Sequence, residues 1–299
     1  MACSARSSRF LVSLWSSVET KLASARKPWR TLSHDDCCRL SYCKPTYMST
    51  HVPPRGYGMK PDTEYVERAH GDVLFGVDEI QAKLMQEECI IIDRNDKIIG
   101  SASKKECHLL ENINKGMLHR AFSVFLFNTK GELLLQQRAA EKITFPNHFT
   151  NTCCSHPLSF PDELDETGAI GVKRAAQRKL KQELGIEPEQ VPLPDFHYLT
   201  RILYRAENIP KDNKWGEYEI DYILFIKRDV NVIANPNEVK SYRYVTQSEL
   251  KEIVDTADSR GILLTPWFKL IIQNFLYQWW SRLDQIESQA DRDTIHRLV

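Results

Sequence analysis

The run Arg120-Ala121-Phe122-Ser123-Val124-Phe125-Leu126-Phe127-Asn128 constrains this chain more than any other stretch. Its aromatic and aliphatic side chains suit a buried strand. A polar break containing glycine, Thr129-Lys130-Gly131-Glu132, turns it into Leu133-Leu134-Leu135-Gln136-Gln137-Arg138, which is a hairpin signature. No apolar stretch approaches the ~18 residues of a membrane-spanning helix, so the run is expected in the core of a globular domain.

Further strands are expected over Cys89 to Asp93, from Ile98 onward, and over Phe149 to Cys153, Phe196 to Ala206, Tyr218 to Lys227 and Ser241 to Val245. Helical spacing marks Val77 to Glu87, with Ile80, Leu84 and Met85 on one side. The clearest helix is Gly171 to Leu184. There Val172, Ala175, Ala176, Leu180 and Leu184 share a face, and Gly185 marks the stop. Gln247 to Thr256 reads as a helix, as does a stretch from Pro266 to about Leu283. The order of elements predicts an α+β sandwich, a mixed β-sheet flanked by helices.

The 299 residues hold 40 Lys plus Arg and 40 Asp plus Glu, a formal net charge of zero. Nucleic-acid binders usually carry a basic excess, so that class is set aside, while a local patch for one anionic ligand is not. The 8 Cys are too few to staple a chain this long and read as reduced thiols of an intracellular protein. Residues 1–70 differ in character from the rest and are expected to be an N-terminal extension, with one domain over 71–299. Through His34 they carry Arg6, Arg9, Lys21, Arg26, Lys27 and Arg30 against one acid, Glu19. Such a basic, Ser-rich start resembles a mitochondrial transit peptide, with a plain disordered extension as the alternative. Residues 41–62 carry Pro and Gly in linker fashion. The terminal His296-Arg297-Leu298-Val299 approaches a peroxisomal signal of the Ser-Lys-Leu type but for its trailing Val. Cytosol, peroxisome and mitochondrion are the compartments considered, and a monomer is the default assembly.

Two clusters could carry chemistry. In Asn151-Thr152-Cys153-Cys154-Ser155-His156-Pro157, extended backbone points Cys154 and His156 one way and Cys153 the other. In Trp215-Gly216-Glu217-Tyr218-Glu219, Glu217 and Glu219 share a face. Two carboxylates on one face repel unless a cation or proton lies between them. His108 and His119 complete a set of three imidazoles and two carboxylates, which suits Zn²⁺, Mn²⁺ or Fe²⁺ better than Mg²⁺. The plain alternative is a scatter of separate surface residues. Trp279 and Trp280 lie in an aromatic helix that could pack in a core or touch a membrane interface.

Six stretches stand in order: Lys104-Lys105-Glu106-Cys107-His108, Leu118 to Phe125, Leu133 to Arg138, Thr150 to Pro157, Trp215 to Tyr222, and Thr265-Pro266-Trp267-Phe268-Lys269. Together they resemble the type I isopentenyl-diphosphate isomerases, a branch of the Nudix fold. The resemblance spans residues 76–299 and is closest to the eukaryotic members. A hydrolytic Nudix box would need three carboxylates where this chain has Ile170, Lys179 and Gln182, and a glycine where it has Leu164. Arg178, Leu180, Glu183, Gly185 and Ile186 are kept. That pattern fits the isomerase branch rather than a hydrolase.

The resemblance implies a Nudix-like fold and the reversible conversion of isopentenyl to dimethylallyl diphosphate through a tertiary carbocation. It implies Cys154 and Glu219 as the acid/base groups, with Tyr204 assisting Glu219. A thiol near a cation becomes a usable base, which is the expectation for Cys154. His108, His119, His156, Glu217 and Glu219 would hold a divalent metal, Zn²⁺, Mn²⁺ or Mg²⁺. Glu183 would share a second ion, Mg²⁺, with the substrate diphosphate. Lys104, Arg138, Lys142, Ser155 and Lys179 would hold that diphosphate, and Trp267 would face the cation. The partner implied is a small prenyl diphosphate, with no nucleic acid and no membrane span. Competing readings are a Nudix hydrolase, a catalytically dead Nudix binding module, and a hydrolase built on a Cys154–His156 nucleophile pair.

Overall fold

The computed structural model describes residues 30–31 and 73–299. The N-terminal extension, apart from Arg30 and Thr31, and the linker at 41–62 lie outside the described residues. A mixed sheet forms the body. Strand β1 (Arg30–Thr31) lies on β10 (Val239–Val245), which pairs with β5 (Leu133–Arg138). Strand β4 (His119–Phe127) runs parallel to β9 (Gly216–Lys227), and β9 pairs antiparallel with β8 (His197–Glu207). Strand β11 (Ile295–Arg297) adds to β8 in parallel, and the β2–β3 hairpin (Glu88–Ile92, Ile98–Ser103) meets β4 at the Ile91–His119 pair.

The expected β4–β5 hairpin is present only at its turn. The two strands pair at Phe127 and Leu133 and then separate. Residues 149–155 enter the gap as β6 (Phe149–Thr150), against β5, and β7 (Cys153–Ser155), against β4. Thr152 closes the top of the wedge: its hydroxyl accepts from the Leu126 amide at 2.9 Å and donates to the Leu134 carbonyl at 2.7 Å. The single strand expected over Phe149 to Cys153 is thus two short ones. Each satisfies a different neighbour's backbone groups, which a buried wedge must do.

Alternation along the strands gives the sheet two apolar faces. Phe122, Val124 and Leu126 of β4, with Ile220, Tyr222 and Leu224 of β9, pack under α5 (Ile170–Leu184). Phe125 and Phe127, with Ile223 and Phe225, pack on the other side. That side is covered by α6 (Gln247–Thr256) and α7 (Pro266–Ile271), the latter continuing through a π-turn, Ile272–Leu276, into α8 (Tyr277–Trp280). Trp279 and Trp280 are buried in this second core, which accounts for the aromatic helix as packing. Helix α5 ends as expected at Gly185, whose φ is +61°. Near its start, a Cβ on Gly171 would stand 2.3 Å from the Glu163 carbonyl oxygen, so only glycine lets the helix seat there.

Helix α1 (Glu79–Leu84) departs from the expected face. Ile80 is 56% exposed, while Gln81 is buried and donates to Asn237. Gln81 reaches a polar partner that periodicity does not reveal, and this turns the helix. Three short helices add to those expected: α2 (Lys104–His108), α3 (Leu110–Asn114) and α4 (Pro161–Leu164). Each is about one turn long, too short for a periodic signal. Among the described residues no helix is long and apolar enough to cross a membrane.

Candidate active site

The site forms where the opened wedge meets β9. Odd-numbered residues of β9 face away from α5, so Glu217, Glu219 and Asp221 line up on one face, as alternation predicts for the first two. The register sets His119 of β4 directly beside Glu219. Helix α2 delivers His108. A Ser103–Glu106 capping box starts this helix, and the Lys104 carbonyl lies 2.7 Å from His108 Nδ1. That contact leaves Nε2 of His108 to face the cluster.

The three imidazole rings form a triangle with every centroid pair 4.9 Å apart. One donor atom from each of His108, His119, His156, Glu217 and Glu219 falls within 4.8 Å of all the others, and all five residues are buried. Oε1 of Glu219 lies 3.0 Å from His119 Nε2 and 2.8 Å from His156 Nε2. His108 Nε2 and Glu217 Oε2 approach to 2.8 Å, yet neither has a hydrogen-bond partner. Two buried ligand atoms that are close but not aimed as donor and acceptor suit a shared third atom. This donor set fits a divalent cation of the Zn²⁺ or Mn²⁺ type.

The charges agree. Burial works against the His119 cation, but Cys107, Glu219 and Glu217 outweigh it and lift this imidazole to about 9. Burial also opposes ionisation of Glu219, but the His119 hydrogen bond and charge bring its carboxyl down to about 2. His156, buried and facing His119 and His108, is held well below the usual histidine range. Protons on imidazole thus stand in for the positive charge that the paired carboxylates require.

Above the cluster a pocket is lined by Lys104, Arg138, Lys142, Cys154, Ser155, Lys179, Glu183, Tyr204 and Trp267, together with the cluster itself. The structure therefore brings all the sequence-predicted site residues to one place, including His119 beneath the pocket. Tyr204 donates to Glu219 Oε2 at 2.6 Å; burial first, then the Glu219 charge, keeps its phenol protonated. Lys179 lies 3.6 Å from Glu183, and Gln182 instead reaches Glu238. Arg138 commits Nε and Nη2 to the Thr144 and Phe145 region and leaves Nη1 without a hydrogen bond among the described residues. Lys142 pairs with buried Glu238 at 2.5 Å. Burial lowers Lys142 to about 8, helped by repulsion from Lys104, Arg138 and Lys179, although Glu238 pulls the other way.

Cys154 corrects one expectation. Among the described residues, no cation is among the groups that act on its sulfur. Burial, with Asp221 nearby, pushes the thiol up to about 12, against hydrogen bonds from Ser123, Thr150 and Trp267. It is therefore a neutral thiol that donates to Asn151 Oδ1 at 2.8 Å, with Trp267 Nε1 3.0 Å from the sulfur. His156 turns its Nε2 to Glu219 rather than to the thiol, so the Cys-His nucleophile reading has no geometric basis.

Sequence reasoning misses three residues around this sulfur. Asn151 is clamped by the Val124 and Cys153 carbonyls, which aims its oxygen at Cys154. Ser123 donates to Asp221 at 2.8 Å and lies 3.5 Å from the sulfur. Asp221, which reads in the sequence as packing against a neighbouring strand, is buried with Oδ1 unpartnered. Its period-2 relation to Glu217 and Glu219 is the one signal that could find it.

A mixed sheet with flanking helices and a helix keeping part of a Nudix box define a Nudix-type fold, beside a buried three-His, two-Glu cluster that could hold a divalent metal. The NUDIX domain family model matches residues 117–268. Isopentenyl-diphosphate Delta-isomerase 1 of Mesocricetus auratus is 59% identical over 222 residues, 74% of this chain and 96% of that protein. The isopentenyl-diphosphate delta-isomerase of Gibberella zeae is 57% identical over 229 residues, covering 75% and 88%. That of Clarkia breweri is 52% identical over 229 residues, covering 75% and 79%. The chain belongs to the Nudix family and, within it, to the isopentenyl-diphosphate Delta-isomerases.

Proposed function

We propose that this enzyme interconverts isopentenyl and dimethylallyl diphosphate, the five-carbon units of isoprenoid synthesis, by moving one proton on and another off the carbon skeleton. The observation that carries this reading is the pairing of a proton donor and a proton acceptor in one cationic pocket: the neutral Cys154 thiol, and the Glu219 carboxylate that accepts from Tyr204. Allylic transposition needs two such groups flanking a small hydrocarbon, shielded from water. Lys104, Arg138, Lys142, Ser155 and Lys179 grip the diphosphate. That grip is mostly uniform binding and acts on KM more than kcat. Trp267, held by its N–H to the sulfur and to Asn151, offers a ring to the carbocation. Cation–π attraction is worth ~2 kcal/mol when desolvated.

His108, His119, His156, Glu217 and Glu219 would hold a divalent cation, which when bound would supply a fixed positive charge that tunes the acidity of Glu219. Glu183 would share Mg²⁺ with the diphosphate, and its one carboxylate leaves most of that ion's shell to substrate and water. A hydrolase is disfavoured because buried Lys179 stands where hydrolysis needs a carboxylate. A binding-only module would have no use for the complete set of proton carriers.

Proton NMR of isopentenyl diphosphate with the metal-loaded protein and Mg²⁺ in D₂O tests the reading. Dimethylallyl diphosphate carrying deuterium is the expected product. Released phosphate would move the enzyme to the hydrolases, and unchanged substrate would remove this reaction.

Lys142 adds a pH signature. Its free-enzyme pKa of about 8 means that raising pH through that value removes one cation from the grip. Bound diphosphate favours the charged form, so the loss shows in kcat/KM and not in kcat. We expect kcat/KM to fall on the order of tenfold above pH 8, and Lys142→Arg to move the fall upward. A profile for the wild type that stays flat to high pH would exclude Lys142 from the grip.

Glu183→Gln should raise the Mg²⁺ concentration needed for half-maximal rate by roughly tenfold, since an amide is a weaker ligand for a hard cation. An unchanged Mg²⁺ titration would count against its placement.

A further inference from the structure

A second pocket, of about 650 Å³, opens on the opposite face of the sheet, beside the start of α5. Tyr198 of β8 and Tyr222 of β9 stack at 5.1 Å to form one wall. Lys173, Arg201 and Arg292 also line the pocket, against the two acids Asp96 and Glu166.

The acids are already committed. Asp96 is buried and accepts from Arg120, Arg201 and the Tyr222 hydroxyl. Glu166 accepts from Arg120. The donors are not all used. Tyr198 is only 8% exposed, and its hydroxyl has no hydrogen-bond partner among the described residues. Lys173 lines the same space with neither a hydrogen bond nor an ion pair among them, although the charge of Glu287, which is paired with Arg292, acts on it. A phenol hydroxyl and an ammonium that open on this pocket without a hydrogen bond to a described residue, beside acids that already hold arginines, leave donors for an acceptor from outside. Burial, the dominant effect on it, pushes the Tyr198 phenol up to about 12, so it is a donor at neutral pH.

We propose that this pocket binds a small phosphorylated organic molecule. The phosphate would meet Lys173, Tyr198 and the Nη1 that Arg292 leaves beside its bonds to the Tyr198 carbonyl and Glu287, and an apolar or planar body would lie on the tyrosine pair. The site is separate from the catalytic pocket, since the side chains of Tyr222 and Glu219 leave β9 on opposite faces. It shares strands with that pocket: Arg120, which grips Asp96, follows His119 directly.

Calorimetric titration of the metal-loaded full chain with phenyl phosphate tests this. We expect binding with a Kd of roughly 1 mM or tighter, weakened about tenfold or more in Lys173→Met and in Tyr198→Phe. Lys173→Arg should keep most of the affinity, which separates lost charge from a damaged fold. Lys104→Met, altered in the catalytic pocket, should bind the probe here as the wild type does. Turnover of Lys173→Met should match wild type without the probe. Absence of heat up to about 10 mM probe overturns the proposal. So does binding that survives Lys173→Met and vanishes in Lys104→Met, which would place the probe in the catalytic pocket alone.

Discussion

Cys154→Ala is expected to lose turnover by at least about 10³-fold while leaving substrate affinity within a few-fold of wild type. The thiol sits at the end of a preformed arrangement that does not depend on it. Asn151 Oδ1 keeps the Thr150 hydroxyl at 3.0 Å and the Trp267 N–H at 3.3 Å after the sulfur is removed. The grip on the diphosphate comes from Lys104, Arg138, Lys142 and Lys179, none of which bonds to the sulfur. Only the proton carried by the thiol disappears, so the loss should fall on kcat. Equilibrium titration of the variant with isopentenyl diphosphate, set beside its steady-state rate, separates the two effects. Affinity that falls in step with rate would mean that Cys154 binds substrate rather than moving a proton.

Glu219→Gln carries the second large effect. One oxygen of Glu219 serves His119 and His156, and the other takes the Tyr204 hydroxyl. The amide removes the negative charge at the centre of three imidazoles and replaces one acceptor with a donor. Loss of a supporting contact to a metal ligand costs ~10–100-fold in metal affinity, so loss of a ligand itself should cost at least the upper end of that range. Dialysed protein should then lose the tightly bound metal, seen by elemental analysis, and turnover with it. A variant with full metal occupancy and full activity would refute the double role.

Much of the site is legible in the residues themselves. Period-2 alternation puts Glu217 and Glu219 on one face and separates Cys154 from Cys153, and the strands obey it. The helix over Gly171 to Leu184 announces itself through Val172, Ala175, Ala176, Leu180 and the stop at Gly185. The resemblance around His108, His119 and His156 points to one metal cluster, although spacing alone favours a scatter. Other features are out of reach of local signals. Ile80 fits the apolar spacing of its helix and yet faces solvent, because Gln81 finds a partner in Asn237, 156 positions away in the chain. Asp221 looks like one more strand residue until Ser123 and Cys154 are beside it.

The thiol shows the limit most clearly. Residue type and the resemblance favour a low-pKa cysteine, but protonation depends on what surrounds the sulfur in space. Those surroundings are burial and Asp221, with no cation in contact. By itself the sequence determined where the long strands and helices lie, which strand residues share a face, and which chemical groups are available, because these follow from local periodicity and residue type. Only the tertiary structure decided that β4 and β5 part after their turn, that residues 149–155 fill the gap, and that three histidines from different elements converge on two glutamates. Those outcomes depend on long-range pairing, in which each backbone group takes whichever partner the whole fold brings to it.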